Sequence, residues 1–162
     1  MKTNKSDRNP LYLMVYGAAI AAIYIILFML FEPIGSGVIQ FRISELLCVM
    51  PYFTPAAIPG LFIGGGVPMD IIGGSLATLI GAVGSYLLRK NRYLVSVPPI
   101  VSNMLIIPWV LKYGYGSDAM IWFSTITIGI GEFLAIGVLG QILLGVLEKY
   151  KGVLFDSRVL AR

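Results

Sequence analysis

The sequence has no histidine and a single cysteine, and these two shortages limit its chemistry. Histidine and cysteine are the usual ligands of transition metals in proteins, so we expect no metal site of that kind. One cysteine cannot form an internal disulfide. Cys48 stands among apolar residues, and we expect it to be a small side chain of the core.

Charged residues are also scarce. They make up 12% of the 162 residues, whereas 57% are hydrophobic and the mean hydropathy is +0.87. A soluble domain of this size has too little interior to bury so much apolar surface. The composition therefore predicts an all-α integral membrane protein, in which lipid surrounds most of the chain.

Apolar runs divide the chain into six segments. A bilayer core about 30 Å thick needs about 20 helical residues, and four runs meet or approach this length. They are Leu11–Phe31, Ile71–Leu88, Leu94–Leu111 and Ala119–Leu147. Between the first two, the prolines from Pro51 to Pro55 predict two short helices, Arg42–Met50 and Ala56 to about Val67. We expect these to be short, tilted spans beside a water-filled cavity, or a hairpin that enters the bilayer and returns.

Positive charges predict the orientation. Basic clusters precede the first segment, separate the fourth from the fifth and follow the last, and such clusters favour the cytoplasm. Their members are Lys2, Lys5 and Arg8; Arg89, Lys90 and Arg92; and Lys149, Lys151 and Arg158. An even number of crossings must then separate each pair of clusters. We expect one domain over residues 1–162: a six-helix bundle at 11–149 between cytoplasmic tails at 1–10 and 150–162. These anchors explain the net charge of +4 without a nucleic-acid partner.

Five polar side chains lie away from the cytoplasmic ends of the predicted spans: Arg42, Glu45, Asp70, Asn103 and Glu132. A charge in hydrocarbon costs about 2.5–3.5 kcal/mol on insertion scales, so each should face protein or water. Arg42 and Glu45 share a helical face near the outer end of their segment, at the level of Asp70. Asn103 and Glu132 lie near mid-depth. The five together predict a polar pocket that opens outward.

Each of these residues also has a structural explanation. Arg42 and Glu45 can form an ion pair at three-residue spacing. Asn103 can join two helices by a hydrogen bond, and Asp70 can cap the helix that follows it, which we favour for Asp70. Glu132 has no cation within a helical turn, so it is protonated, paired across the bundle with a residue such as Arg42, or presented to a ligand. We favour a binding role for Glu45 and Glu132.

Aromatic side chains are expected in the outer half of the bundle. Tyr52, Phe53, Trp109 and Trp122 belong to this group. The two tryptophans fit an interfacial belt as well as they fit stacking on a ligand.

Small residues follow a helical spacing in the first segment. Gly17 with Ala21, and Ala18 with Ala22, form two small-xxx-small pairs, which let another helix approach closely. That helix belongs either to the same bundle or to a partner protein. The stretch "IGGGVP" near Gly64 is not a phosphate-binding loop, because no lysine follows it. Uphill transport would therefore need ATP hydrolysis by another chain.

Four stretches resemble a known family: "IQFRISELLCVMPYFTPAAIPGLFIG", "DIIGGSLATLIGAVGSYLLRK", "PPIVSNMLIIPWVLKYGYG" and "GIGEFLAIGVLG". In this order they resemble the queuosine-precursor transporters, which are substrate-binding S components of energy-coupling factor (ECF) vitamin transporters. The resemblance covers residues 18–143. It implies the six-helix S-component fold, with both termini cytoplasmic, in the bacterial plasma membrane.

The resemblance implies uptake of a queuosine precursor: 7-aminomethyl-7-deazaguanine, 7-cyano-7-deazaguanine or queuine. A guanine-like ring presents adjacent N–H donors, which a carboxylate such as Glu45 or Glu132 can accept. An amide suits the ring carbonyl, an aromatic side chain can cover a ring face, and an aminomethyl cation would take the second carboxylate or an aromatic face. The candidate substrate-binding residues are Arg42, Glu45, Tyr52, Phe53, Asp70, Asn103 and Glu132.

The resemblance also implies partners, namely a transmembrane coupling protein and two ATPase subunits. S components carry an alanine-xxx-alanine docking motif on the first helix, so Gly17, Ala18, Ala21 and Ala22 are the candidate partner-docking residues. The partners hydrolyse ATP, and we expect no cofactor and no catalytic residue in this chain. Residues 64–70 are fewer than the family pattern has there, which puts any pocket contact from that loop in doubt.

Two other transport functions remain open. The chain can be an S component for another vitamin or small heterocycle, or a self-contained proton-coupled carrier in which Glu132 binds the proton. No inverted repeat supports the carrier. A membrane enzyme that uses Glu45 and Glu132 as acid and base would lack a nucleophile or a set of metal ligands.

Overall fold

The computed structural model describes residues 10–35, 41–66, 72–114, 116, 118–155 and 160, and these residues lie in helices, turns or irregular connections. The α-helices are α1 Pro10–Gly35, α2 Ala57–Gly66, α3 Gly73–Leu87, α4 Val97–Gly114, α5 Ile121–Glu132 and α6 Gln141–Leu154. A 3₁₀ helix covers Ile43–Tyr52, a 3₁₀ turn covers Leu94–Ser96, and a π-helical segment, Phe133–Gly140, joins α5 to α6. The all-α prediction is confirmed for the described part of the chain.

Three described stretches are long and apolar enough to cross a membrane. They are Pro10–Phe31, Leu94–Gly114 and the continuous 34-residue helix Ile121–Leu154. Each contains or nearly matches a predicted span. The predicted span Ile71–Leu88 is represented by α3, which has 15 residues and is shorter than a full crossing. The number of crossings and the cytoplasmic location of the termini stay predictions.

The proline-rich stretch separates the second segment from the third where the sequence predicted. The 3₁₀ helix ends at Tyr52 and α2 begins at Ala57. The 3₁₀ winding itself was not predicted. It rises about 2.0 Å per residue instead of about 1.5 Å, so its ten residues extend about 20 Å and cross more of the bundle than an α-helix of that length.

The 3₁₀ helix lies at the centre of the core. Its residues Cys48 and Val49 are fully buried, and they pack in one cluster with residues of α1, α2 and the π-helical segment, among them Tyr24, Leu61 and Ile136. The prediction that Cys48 is a core residue is confirmed. Because this short helix is surrounded by the other elements, its polar residues are held inside protein.

Candidate functional site

Glu45 lies inside the bundle with both carboxylate oxygens occupied. Its side chain is 2% exposed. Oε1 accepts a hydrogen bond from the Tyr24 hydroxyl at 2.6 Å, and Oε2 accepts one from the Cys48 thiol at 2.9 Å. Glu45 therefore ties α1 to the 3₁₀ helix. Sequence analysis missed Tyr24, although a tyrosine inside the apolar run "AAIYIIL" needs a partner for its hydroxyl once it is buried.

Arg42 does not form the ion pair with Glu45 that the spacing allowed. Within the described ranges the one salt bridge joins Arg92 to Glu148. Arg42 precedes the 3₁₀ helix, is partly buried, and accepts the backbone N–H of Glu45 through its carbonyl oxygen at 3.1 Å. The ion-pair alternative is wrong: the Glu45 carboxyl is bonded to Tyr24 and Cys48, and the Arg42 side chain forms no salt bridge with it.

Glu132 and Asn103 form the second half of the polar cluster. Each is 2% exposed. The Glu132 carboxyl is close enough to Glu45 and Arg42 to be affected by their charges. The Asn103 side chain approaches the same carboxyl group. The structure thus brings together Arg42, Glu45, Asn103 and Glu132, four of the predicted site residues.

Two atoms of this cluster are buried without a hydrogen-bond partner. Glu132 Oε2 and Asn103 Nδ2 find no well-aligned partner among the described residues, although the two side chains are neighbours. An unpaired buried polar group costs about 1–3 kcal/mol, so such atoms are rare in folded proteins. One of the atoms is an acceptor and the other a donor. The pair can therefore bind a ligand that presents both a donor and an acceptor.

Ser44 is a polar residue that sequence analysis did not single out. It is 1% exposed, and its Oγ has no hydrogen-bond partner in the part of the chain that the structure describes. It lies in the first turn of the 3₁₀ helix, directly before Glu45. A serine between Arg42 and Glu45 in an otherwise apolar segment was the available signal.

The 3₁₀ helix runs alongside the long helix in the same direction. At one end, Glu45 lies near Glu132. In the middle Val49 fits against Gly140, where an added Cβ would come within 2.9 Å of Val49 Cγ1. At the other end the Tyr52 hydroxyl donates to Glu148 Oε1 at 2.7 Å. This parallel packing fixes the position of Glu132 relative to Glu45.

The π-helical segment begins at the residue after Glu132. It has eight residues, and π-helical turns inside α-helices often occur at functional sites. The Ser96 hydroxyl donates to the Ile136 carbonyl at 3.3 Å and so supplies a partner for backbone in this segment. The wider winding changes the direction in which residues after Glu132 point. No periodicity in "GIGEFLAIGVLG" predicted it.

Tyr52 and Phe53 lie apart from the polar cluster. Phe53 stacks on Phe155, with ring centres 5.2 Å apart, just beyond the end of α6. Glu148, the partner of Tyr52, is about four turns further along the continuous helix than Glu132, roughly 24 Å at about 1.5 Å per residue. The structure therefore does not bring these aromatic rings to Glu132 and Asn103.

The sequence predicted that Tyr52, Phe53, Trp109 and Trp122 lie together in the outer half of the bundle. This expectation is wrong, because they lie at two different ends of the long helix. Trp122 lies in the first turn of α5 and Trp109 near the end of α4, and both are exposed. Phe53 is at the opposite end of the long helix, since the 3₁₀ helix carries the chain there. The exposed tryptophans fit an interfacial belt.

A family model described as QueT transporter matches residues 14–149. The chain belongs to the QueT transporter family. This confirms the resemblance to the queuosine-precursor transporters. Comparisons with curated proteins and with solved structures found no match. Together with its apolar helices, the family shows a multi-pass membrane protein, and it suggests transport of a queuosine precursor.

The small residues of α1 divide between two faces in this QueT family member. Gly17 and Ala21 are buried, and Gly17 packs against α2, where an added Cβ would lie 3.1 Å from the Ala56 carbonyl oxygen. Ala18 and Ala22 are exposed. The prediction of a docking role is therefore wrong for Gly17 and Ala21, because they are occupied by packing inside the bundle. Ala18 and Ala22 stay candidates.

Asp70 lies outside the described residues, as do residues 67–71 in general. The described part of the short 64–70 segment is the end of α2, Gly64–Gly66. A capping or ligand role for Asp70 stays a prediction.

A second polar network, away from Glu132, connects helices through Arg92, Gln141 and Glu148. Arg92 Nη1 donates to Glu148 Oε2 at 3.1 Å, and Arg92 Nη2 donates to the Gln141 carbonyl at 2.9 Å. The Gln141 amide donates to the Ser96 hydroxyl at 2.7 Å. This network connects the loop after α3 with α6 and, through Glu148, with Tyr52. The Gln141 amide nitrogen donates two hydrogen bonds, whereas Asn103 Nδ2 has no partner among the described residues.

Proposed function

We propose that the protein is the S component of an ECF-type importer and that it binds a queuosine precursor between Glu132 and Asn103. The observation that carries this proposal is the pair of buried, unpartnered atoms, Glu132 Oε2 and Asn103 Nδ2. An acceptor next to a donor matches the N–H groups and the carbonyl of a 7-deazaguanine ring. Binding such a ring would give both atoms hydrogen-bond partners that the described residues do not supply.

Glu45 has a different role in this proposal. Its oxygens accept hydrogen bonds from Tyr24 and Cys48, so we assign it the role of positioning the 3₁₀ helix beside Glu132. Arg42 balances the negative charge of the cluster. We propose that binding proceeds without catalysis, and that the pocket opens on the outer side of a six-helix bundle whose termini are cytoplasmic.

Binding to the purified protein tests the substrate. We expect 7-aminomethyl- or 7-cyano-7-deazaguanine to bind, with guanine as a weaker competitor, and a vitamin of unrelated structure not to compete. Glu132→Gln should weaken binding roughly tenfold to a hundredfold, the value of a hydrogen bond to a charged acceptor. Glu148→Gln changes a carboxylate outside the cluster and serves as the control. Unchanged affinity in Glu132→Gln would contradict the proposed site.

We further propose that the exposed face of Ala18 and Ala22 on α1 docks against a transmembrane coupling protein, which works with two ATPase subunits. Small exposed side chains let a partner helix approach closely, which supports this assignment. Uptake should then require the ATPase module. Full uptake by cells that lack this module would favour a self-contained carrier instead.

A further inference from the structure

The Ser44 hydroxyl is buried and has no hydrogen-bond partner among the described residues, and its side chain is 1% exposed. A serine or threonine inside a helix often donates to a backbone carbonyl three or four residues earlier. Three other buried hydroxyl groups of this chain do so, those of Thr78, Ser102 and Thr127. The N-cap of the 3₁₀ helix is Arg42, so Ser44 does not cap that helix either. The local structure therefore gives the Ser44 hydroxyl no role.

The faces of the 3₁₀ helix indicate the direction of the Ser44 side chain. Three residues complete one turn of such a helix, so side chains at i and i+3 lie on the same face. One face, with Val49, packs against the π-helical segment, and a second face, with Glu45, bonds to α1. Ser44, Leu47 and Met50 form the third face, and all three are buried. Since α3 is the other element that packs extensively against the 3₁₀ helix, we place this third face toward α3.

Asn103 and Glu132 lie in the same region of the bundle as Ser44. Helix α4 covers α3, because an added Cβ on Gly81 would lie 2.7 Å from Pro99 Cα and 3.0 Å from the Ser102 hydroxyl oxygen. Asn103 directly follows this contact in α4. The residue after Ser44 is Glu45, which lies near Glu132. The 3₁₀ helix, α4 and the long helix therefore each contribute one unpartnered polar side chain at a similar level of the bundle.

We propose that the Ser44 hydroxyl is the third polar contact of the ligand, and that it binds a group outside the ring edge held by Glu132 and Asn103. This inference rests on the proposed function, because it concerns the same site. A hydroxyl both donates and accepts, so it can donate to a nitrile or ring nitrogen, or accept from an aminomethyl or ring N–H group. A ligand without such a group would leave Ser44 unpaired and bind more weakly. Ser44 therefore selects heterocycles that carry a further polar group away from the guanine-like edge.

Ser44→Ala tests the contact, because it deletes the hydroxyl and keeps a small side chain. The probe is 7-cyano-7-deazaguanine, titrated into the purified protein in a calorimeter. We expect the affinity to fall about threefold to tenfold, the value of one hydrogen bond between neutral groups. The unfolding temperature of the ligand-free variant should be unchanged or higher, because the deleted hydroxyl has no partner among the described residues.

Ser85→Ala is the matched control. The Ser85 hydroxyl is also buried, but it donates to the Val95 carbonyl at 2.7 Å, so its loss should lower the unfolding temperature and leave the affinity unchanged. Full affinity in Ser44→Ala, or a fall in unfolding temperature as large as that of Ser85→Ala, would overturn the inference. The proposed function would stand in that case if Glu132→Gln still weakened binding. Absence of binding by the wild-type protein would contradict the proposed function, and this inference with it.

Discussion

The Tyr24 hydroxyl donates a hydrogen bond of 2.6 Å to Glu45 Oε1, and this contact joins α1 to the 3₁₀ helix beside the candidate site. The two residues are 21 positions apart, so the bond connects parts of the chain that are not neighbours in sequence. The 3₁₀ helix also packs along the long helix that carries Glu132. The contact therefore links α1, with its exposed alanine face, to the polar cluster.

Tyr24→Phe should destabilise the protein by about 1–3 kcal/mol, because it leaves Glu45 Oε1 buried without a donor. Thermal unfolding in detergent measures this change. Tyr93→Phe is the matched control, since Tyr93 is 75% exposed and its loss of a hydroxyl should have little effect. Equal unfolding temperatures for the two variants would show that the Tyr24 bond contributes nothing to stability.

The sequence predicted the membrane character, the helical class, the proline break after Pro51 and the burial of Cys48, because composition and proline geometry determine these features locally. It also selected Glu45, Asn103 and Glu132, since few polar residues occur in apolar runs. It could not predict how each helix rotates about its axis. In α1 the lipid-facing and core-facing residues are both apolar, so Gly17 and Ala18 look equivalent until packing separates them.

The winding of the 3₁₀ helix and of the π-helical segment could not be predicted from the sequence either. Both depend on side chains from other elements, such as Ser96, which donates to the Ile136 carbonyl, and Val49, which fits against Gly140. Tertiary contacts of this kind override local preference. The same holds for Tyr24, whose role becomes visible only when its partner Glu45 is known. The binding role of the selected residues stays a prediction.

Asn103→Leu should separate binding from stability. The substitution removes an unpaired buried amide and replaces it with an apolar side chain of similar size, so we expect unfolding to be unchanged or shifted to higher temperature. Affinity for 7-deazaguanines should fall roughly tenfold or more, because the ring carbonyl loses its donor.

Gln141→Leu is the matched control for this experiment. The Gln141 amide donates to Ser96 Oγ and to the Arg92 carbonyl, so its loss should destabilise the fold by about 1–3 kcal/mol and leave affinity nearly unchanged. If Asn103→Leu destabilised the protein as much as Gln141→Leu did and kept full affinity, Asn103 would be a structural residue.

Tyr52→Phe should leave ligand affinity within about twofold of wild type, because its hydroxyl bonds to Glu148 far from Glu132. The variant loses a bond to a carboxylate, so a modest fall in unfolding temperature is expected. Phe53→Leu should behave in the same way, since the ring stacks on Phe155. Titration of both variants with 7-cyano-7-deazaguanine measures this. A tenfold loss of affinity in either variant would instead indicate that the substituted residue stacks on the ligand.

Substitutions at the exposed face of α1 and at its contact with α2 should have opposite effects. Ala18→Leu with Ala22→Leu enlarges exposed side chains, so stability and ligand affinity should persist while uptake by whole cells is lost, because the partner helix can no longer approach. Gly60→Ala acts inside the bundle, where the new Cβ would come within 2.5 Å of the Gly17 carbonyl oxygen. That clash should cost about 1–3 kcal/mol of stability. Loss of ligand affinity in the double leucine variant would instead mean that the outer face of α1 supports the fold of the binding site.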